Sequence, residues 1–205
     1  MSKPVKLGAL GFALSLLTTA CFKSSEPVVF AGQELASVEG TILGYAIGQI
    51  SSETNKVTRA YQLRDEADGI YLYMCPASGD EPAELQRARA RVSEIPGQRG
   101  FAVVSLEEGD FLFGETNPGH EFLIVQPLRD RMLVSILDSN STTKDEAFRY
   151  FSEVPTVAIS TNSSTYPVEA VQEFLTEYLD EWWPEEEKSS YRYFNGNLTS
   201  CNFNR

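Results

Sequence analysis

Between residues 41 and 137 the chain is divided into short runs rich in β-branched and aromatic side chains, each closed by Gly, Asp, Asn or Pro. The runs fall at 41–49, 57–64, 70–75, 101–106, 111–114, 122–126 and 132–137. Turn residues recur too often for long helices, and links this short join only antiparallel neighbours. The expected fold is therefore an antiparallel β-meander, either an open sheet or a closed barrel. Its turns are expected at Glu107-Glu108-Gly109-Asp110, at Asn117-Pro118-Gly119-His120 and at Arg129-Asp130. In Tyr61-Gln62-Leu63-Arg64 and Ile70-Tyr71-Leu72-Tyr73-Met74, residues of different character alternate, as strands with one face on a core require.

Residues 80–95 read two ways. Glu84, Leu85, Gln86 and Ala88 are helix formers, and Leu85, Ala88 and Val92 fall near helical spacing. Residues 87–92 nevertheless alternate Arg with Ala or Val. The alternation predicts a strand over 88–95, closing a hairpin onto 101–106 across residues 96–100.

After residue 138 the pattern changes. A short helix is expected at 144–151, a strand at 156–160, and one strongly amphipathic helix at 167–183. Pro167 suits its first turn. Val168, Val171, Leu175, Tyr178, Leu179 and Trp182 form its apolar stripe, opposite Glu169, Glu173, Glu177 and Asp180. That stripe is expected to lie on the sheet, with Pro184 ending the helix and the acidic run 185–187 in solvent. The fold class is thus mainly β (α+β), with a C-terminal helix packed on the meander.

The beginning of the chain carries a different signal. Lys3 and Lys6 precede an apolar stretch at 7–17, which is followed by Thr18-Thr19-Ala20-Cys21. The apolar stretch is shorter than the roughly 20 residues of a spanning helix and matches the core of a secretory signal. Leu17-Thr18-Thr19-Ala20-Cys21 resembles the lipobox of bacterial lipoproteins. The resemblance implies cleavage before Cys21 and attachment of lipid, of which palmitate is typical, to that cysteine. Phe22 stands where an Asp would retain such a protein in the inner membrane, which by the same resemblance implies the outer membrane, facing the periplasm. Residues 1–20 are then a signal peptide, 21–29 the lipidated cysteine and a flexible tether, and 30–205 a single β-rich domain.

Once Lys3 and Lys6 leave with the signal, 15 of the 17 basic side chains face 29 acidic ones, a formal charge of −14. Such a surface argues against nucleic acid or an anionic lipid surface as a partner, because both are polyanions that bind through Lys and Arg. The remaining cysteines, Cys75 and Cys201, are expected to form a disulfide in an oxidising compartment, the alternative being two thiols.

The residues that carry chemistry are few. His120 is the sole histidine, which rules out a His-based triad or a multi-histidine metal site, and it reads as a solvated loop residue. No C-x-x-C, G-x-S-x-G, H-E-x-x-H, P-loop or dinucleotide glycine motif occurs. Ser141-Thr142-Thr143-Lys144 has the S-x-x-K spacing without its partner motifs. Residues 138–149 begin like a calcium loop but place Thr143 and Arg149 at its Gly and Glu positions. No cofactor and no metal are expected. Glu107 and Glu108 are the paired carboxylates that acid–base chemistry on a sugar would need. Trp183 falls off the helical stripe and, with Tyr191 and Tyr193, is expected to offer an aromatic surface to a partner. The function expected is that of a lipid-anchored envelope module, non-enzymatic, which binds an envelope protein or serves a structural role. A small-ligand barrel carrier and a carboxylate-dependent hydrolase are the alternatives.

Overall fold

A computed structural model describes residues 21–50, 57–75, 84–107, 118–136, 144–159, 163–185, 189–194 and 196–201. The expected signal segment 1–20, the expected strand at 111–114, most of the S-x-x-K and calcium-like stretches and the end of the acidic run lie outside the described residues. In chain order the strands are Cys21–Ser24 (β1), Ala46–Ile50 (β2), Val57–Glu66 (β3), Gly69–Cys75 (β4), Gln86–Glu94 (β5) and Ala102–Leu106 (β6). Phe122–Pro127 (β7), Arg131–Ser135 (β8), Ala158–Ile159 (β9), Ser163–Tyr166 (β10) and Ser189–Phe194 (β11) follow. The helices are Lys144–Glu153 (α1), Val168–Glu177 (α2) and Leu179–Glu185 (α3).

Strands β2 to β8 pair antiparallel in sequence order, and β11 enters between β8 and β2 to close a barrel of eight strands among the described residues. The expected meander is therefore a closed barrel, and the C-terminal aromatic segment is the stave that closes it. Closure removes both free edges of the sheet. The stretch at 80–95 resolves as the strand β5. Ala88, Ala90 and Val92 point inward, paired across the ladder with Leu72 and Ile70 from β4 and Val104 from β6, while Arg87 and Arg89 face solvent. Helix propensity loses because a helix would have spread the arginines around its circumference. The link at 96–100 turns on Gly97, whose φ of 78° only glycine adopts freely, and Ile95 N donates to Phe101 O at 3.2 Å.

Two expectations need correction. Residues 42–44 form a 3-10 turn, so β2 starts at Ala46 and not at 41. Strand β6 pairs directly with β7, Val104 opposite Leu123. The segment expected to be a tether is folded. β1 runs parallel to β10, with Phe22, Lys23, Ser24 and Val28 all buried, and Val28 N donates to Ser105 Oγ at 2.9 Å. Phe22 and Val28 gain apolar burial that offsets the cost of ordering a short polar segment.

Two cores result. Inside the barrel, Ile47, Leu63, Leu72, Val92, Val104, Leu123, Val125 and Val134 pack with Tyr61 and Tyr191. Outside it, Val103 and Ile124 from the outward faces of β6 and β7 meet Val171, Phe174 and Leu175 of α2 and Leu179 and Trp182 of α3. Strand β6 is buried on both faces, which accounts for its unbroken apolar run. The helix laid on the barrel is interrupted at Tyr178, where φ widens to −114°. Tyr178 N still donates to Phe174 O at 2.9 Å, and Tyr178 O still accepts from Trp182 N at 2.9 Å. Pro167 precedes α2 as its cap residue, and α3 runs through Pro184 to Glu185, one residue beyond the proline expected to end it. On the far side of the barrel the C-terminal residues 196–201 lie over β3 and β4, held by the Cys75–Cys201 disulfide and by Leu198 N donating to Gln62 Oε1 at 2.7 Å.

Candidate functional site

The expected aromatic surface does not exist as one patch. Trp183 is 6% exposed on the outside of the barrel, edge-on to Phe101 at 5.1 Å, and its indole N–H donates to Gln126 Oε1 at 2.9 Å. Tyr191 is 2% exposed and faces the barrel interior, its ring 5.3 Å from that of Tyr61. Tyr193 is half-buried, 6.0 Å from Tyr45. These side chains lie on opposite sides of the barrel wall because β11 turns its tyrosines inward while α3 packs on the outer surface.

The barrel interior offers little room. Its cavity is about 20 Å³, lined by Leu43, Ile47, Leu72, Val104, Leu123 and Val134 among others, a space for one water. At one end the Arg59 guanidinium lies near the hydroxyls of Tyr61 and Tyr191 and interacts with both. Burial pushes the Tyr61 hydroxyl far above its usual range, and Tyr191 adds to this while Arg59 opposes it. The phenol stays neutral and serves as a hydrogen-bonding group.

Basic groups gather on the outer face of β5, and each has an acidic partner. Arg87 pairs with Glu66 at 3.0 Å, Arg89 with Glu107 at 3.4 Å and Arg91 with Glu34 at 2.6 Å. The hydrogen bond from Arg91 holds the Glu34 carboxyl below its usual range. Arg64 lies 3.4 Å above the ring of Tyr73. Glu107, from the acidic turn where paired carboxylates were weighed, is thus engaged in an ion pair, and Glu108 lies outside the described residues. Among the described residues no three His, Cys, Asp or Glu side chains converge as a metal site would require.

His120 is not a solvated loop residue. Its backbone bridges to Ser24, and its ring Nδ1 lies 2.9 Å from Leu106 O, so that nitrogen carries the proton. Next to it is a pair that composition hid: Lys23 Nζ is 3.6 Å from Glu121 Oε1, and both side chains are fully buried. No sequence motif marks this pair, and Lys23 had the look of a solvated tether residue. Gly119 makes the approach possible. A Cβ there would stand 2.8 Å from Thr165 Oγ1 and 3.1 Å from Lys23 Cβ.

These contacts seat a small sheet, β1–β10–β9, against the barrel. Cys21, the residue singled out for lipid, is its first residue and pairs with Ser163. Ser164 pairs in turn with Ile159 of β9, so the start of β1 and the end of β9 share one end of this sheet. Val157 and Ile159, on the far side of β10 from β1, are 61% and 74% exposed. The fold is thus a closed β-barrel filled with side chains, with an annexed three-stranded sheet. No protein-family model matches the chain, and no curated protein or solved structure matches it significantly.

Proposed function

We propose that the chain is a lipid-anchored envelope lipoprotein, held by acyl groups on Cys21 at the outer membrane facing the periplasm. It acts there as a non-enzymatic module that engages an envelope protein or serves a structural role. The observation that carries this reading is the pattern of residues 1–21, in which Lys3 and Lys6 precede an apolar run at 7–17 and Leu17-Thr18-Thr19-Ala20-Cys21 resembles a lipobox. A secretory route also fits a disulfide that ties the C-terminus to β4. No helix among the described residues is long and apolar enough to cross a membrane.

Barrel closure favours the carrier alternative, and the interior weighs against it. Ligand pockets measure about 300–1,000 Å³, whereas the cavity here is about 20 Å³. A carrier would have to move core side chains aside. Native mass spectrometry of the protein extracted gently from its own membrane, with and without reductant, tests the reading. A lipid-sized increment on Cys21 and a co-migrating protein are expected. An unmodified Cys21 overturns the anchor, and a bound small molecule replaces the interaction module with a carrier.

A further inference from the structure

We propose that a cleft beside the 3-10 turn, walled by Tyr45, Glu39, Asp65 and Asn197, binds a neutral saccharide of one or two rings. The inference goes beyond the function proposed above and does not depend on the anchor at Cys21.

The cleft exists because β2 stops short. Its pairing with β3 covers Ile47 to Ile50, opposite Tyr61 to Val57, while β3 runs on to Glu66. The chain before β2 turns as a 3-10 helix at 42–44, and a hollow of about 460 Å³ lies between this turn, residues 62–65 of β3 and Asn197 of the C-terminal segment. Ligand pockets measure about 300–1,000 Å³, and the lower part of that range suits a ligand of one or two rings.

One wall is an aromatic ring. Tyr45 is 53% exposed, the most exposed aromatic side chain among the described residues, and Tyr193 braces it at 6.0 Å. The negative face of such a ring attracts the weakly positive C–H groups that line one side of a pyranose.

The polar groups opposite are set by a relay that starts at the backbone. Leu198 N donates to Gln62 Oε1 at 2.7 Å, which fixes the orientation of that buried amide. Gln62 Nε2 then donates to Gly44 O and to Asn197 Oδ1, both at 3.1 Å. With its oxygen taken, Asn197 turns an amide nitrogen with two N–H groups to the cleft, and no acceptor among the described residues engages them. Asp65 Oδ2 takes the shorter bonds from Ser37 Oγ and Glu39 N, while Oδ1 receives Val38 N alone, at 3.1 Å, and keeps capacity for a hydroxyl. Exposed Glu39 adds a second acceptor. Donor, acceptors and ring face together match a sugar, whose hydroxyls both give and accept hydrogen bonds.

Charge selects among saccharides. Arg64 also lines the cleft, but its guanidinium lies 3.4 Å above the Tyr73 ring and donates to Leu198 O at 3.2 Å. The carboxylates of Glu39 and Asp65 remain, in a mature chain of formal charge −14, and both repel an acidic sugar. An extended peptide is not the occupant, because residues 37–44 already lie along the β3 edge that a peptide strand would need: Val38 N and Glu39 N donate to Asp65, and Gly44 O accepts from Gln62.

Saturation-transfer NMR on the full mature chain tests this, with cellobiose and N,N′-diacetylchitobiose as neutral probes, digalacturonic acid as the acidic one and polyproline as the peptide. Saturation is expected on the ring protons of at least one neutral disaccharide. Tyr45→Ala is expected to weaken that binding about fivefold or more, the scale of one lost aromatic contact, and Tyr45→Phe to preserve it. Asn197→Ala is expected to weaken it about fivefold, the scale of one lost hydrogen bond. Both side chains are exposed, so these variants keep the fold, which an unchanged thermal midpoint verifies. Absence of saturation on both neutral disaccharides, or saturation undiminished in Tyr45→Ala, overturns the proposal. Digalacturonic acid bound as tightly as the neutral sugars overturns the choice of a neutral ligand, and polyproline bound in their place replaces the saccharide with a peptide.

Discussion

Lys23 Nζ lies 3.6 Å from Glu121 Oε1 with neither side chain reaching solvent, and this pair fastens the N-terminal strand to the barrel. Around it, Ser24 N donates to His120 O at 3.0 Å, His120 N donates to Ser24 O at 2.7 Å and Thr165 Oγ1 donates to Pro118 O at 2.6 Å. Two charges moved out of water cost several kcal/mol each unless they meet, so breaking the pair is far worse than replacing it. Lys23→Met alone and Glu121→Gln alone are each expected to lower stability by about 3–5 kcal/mol in urea titrations. Lys23→Met with Glu121→Leu is expected to recover most of that loss. A double variant as damaged as either single one would mean that the pair does more than neutralise itself.

Gly119 bears on the same clasp through shape. Its φ is 114°, and an added Cβ would meet Thr165 Oγ1 at 2.8 Å, a separation real structures avoid. Gly119→Ala is expected to cost about 1–3 kcal/mol, the range for a strained backbone position. It should also raise hydrogen exchange at Ser24 and His120, whose amides the close approach protects. Exchange unchanged at both amides would show that the connection gives way without loosening β1.

The meander was legible because each strand of the barrel carries its own alternation and each turn its own Gly, Asp or Pro. Arg87, Arg89 and Arg91 settled β5 in this way. What was not legible depends on contacts distant in sequence. That β11 closes the barrel follows from its pairing with β2 and β8, separated from it by more than the local pattern records. Lys23 and Ser24 look like linker until Glu121 and His120 arrive from the middle of the chain. Trp183 falls off the helical stripe and is nonetheless buried, because Phe101 and Gln126 rise from the barrel to meet it. The disulfide was readable from counting cysteines, since only two remained once Cys21 was assigned.

That disulfide closes a sequence separation of 126 residues and holds the C-terminal segment over Gln62. Cross-linking so large a loop restricts the unfolded chain, and Cys201→Ser is expected to destabilise by about 2–5 kcal/mol. The loss should also expose Leu198, now buried, and release Arg64 from Leu198 O, which it meets at 3.2 Å. Limited proteolysis is expected to trim the C-terminal residues of the variant and spare the barrel. Wild-type protein trimmed at the same rate would show that the bond contributes no local restraint.

Asp65 supplies the pH dependence. Its carboxylate accepts from Ser37 Oγ at 2.8 Å, from Glu39 N at 2.8 Å and from Val38 N at 3.1 Å, tying the segment before the 3-10 turn to β3. Partial burial pulls the carboxyl upward, and the three donors together outweigh it, holding the group below its usual range. A depressed folded-state pKa contributes stability fully present above the unfolded value of about 3.9 and lost as pH falls through the lower folded value. Asp65 is largely exposed, so solvent screening limits the gain to about 1 kcal/mol or less. Asp65→Asn is therefore expected to be slightly less stable than wild type at pH 7, with the gap shrinking below about pH 4 and vanishing once both chains carry a neutral side chain there. Urea midpoints measured from pH 7 down to pH 2.5 read this directly. A gap that stays constant across that range would assign the loss to altered hydrogen-bond geometry and not to the charge.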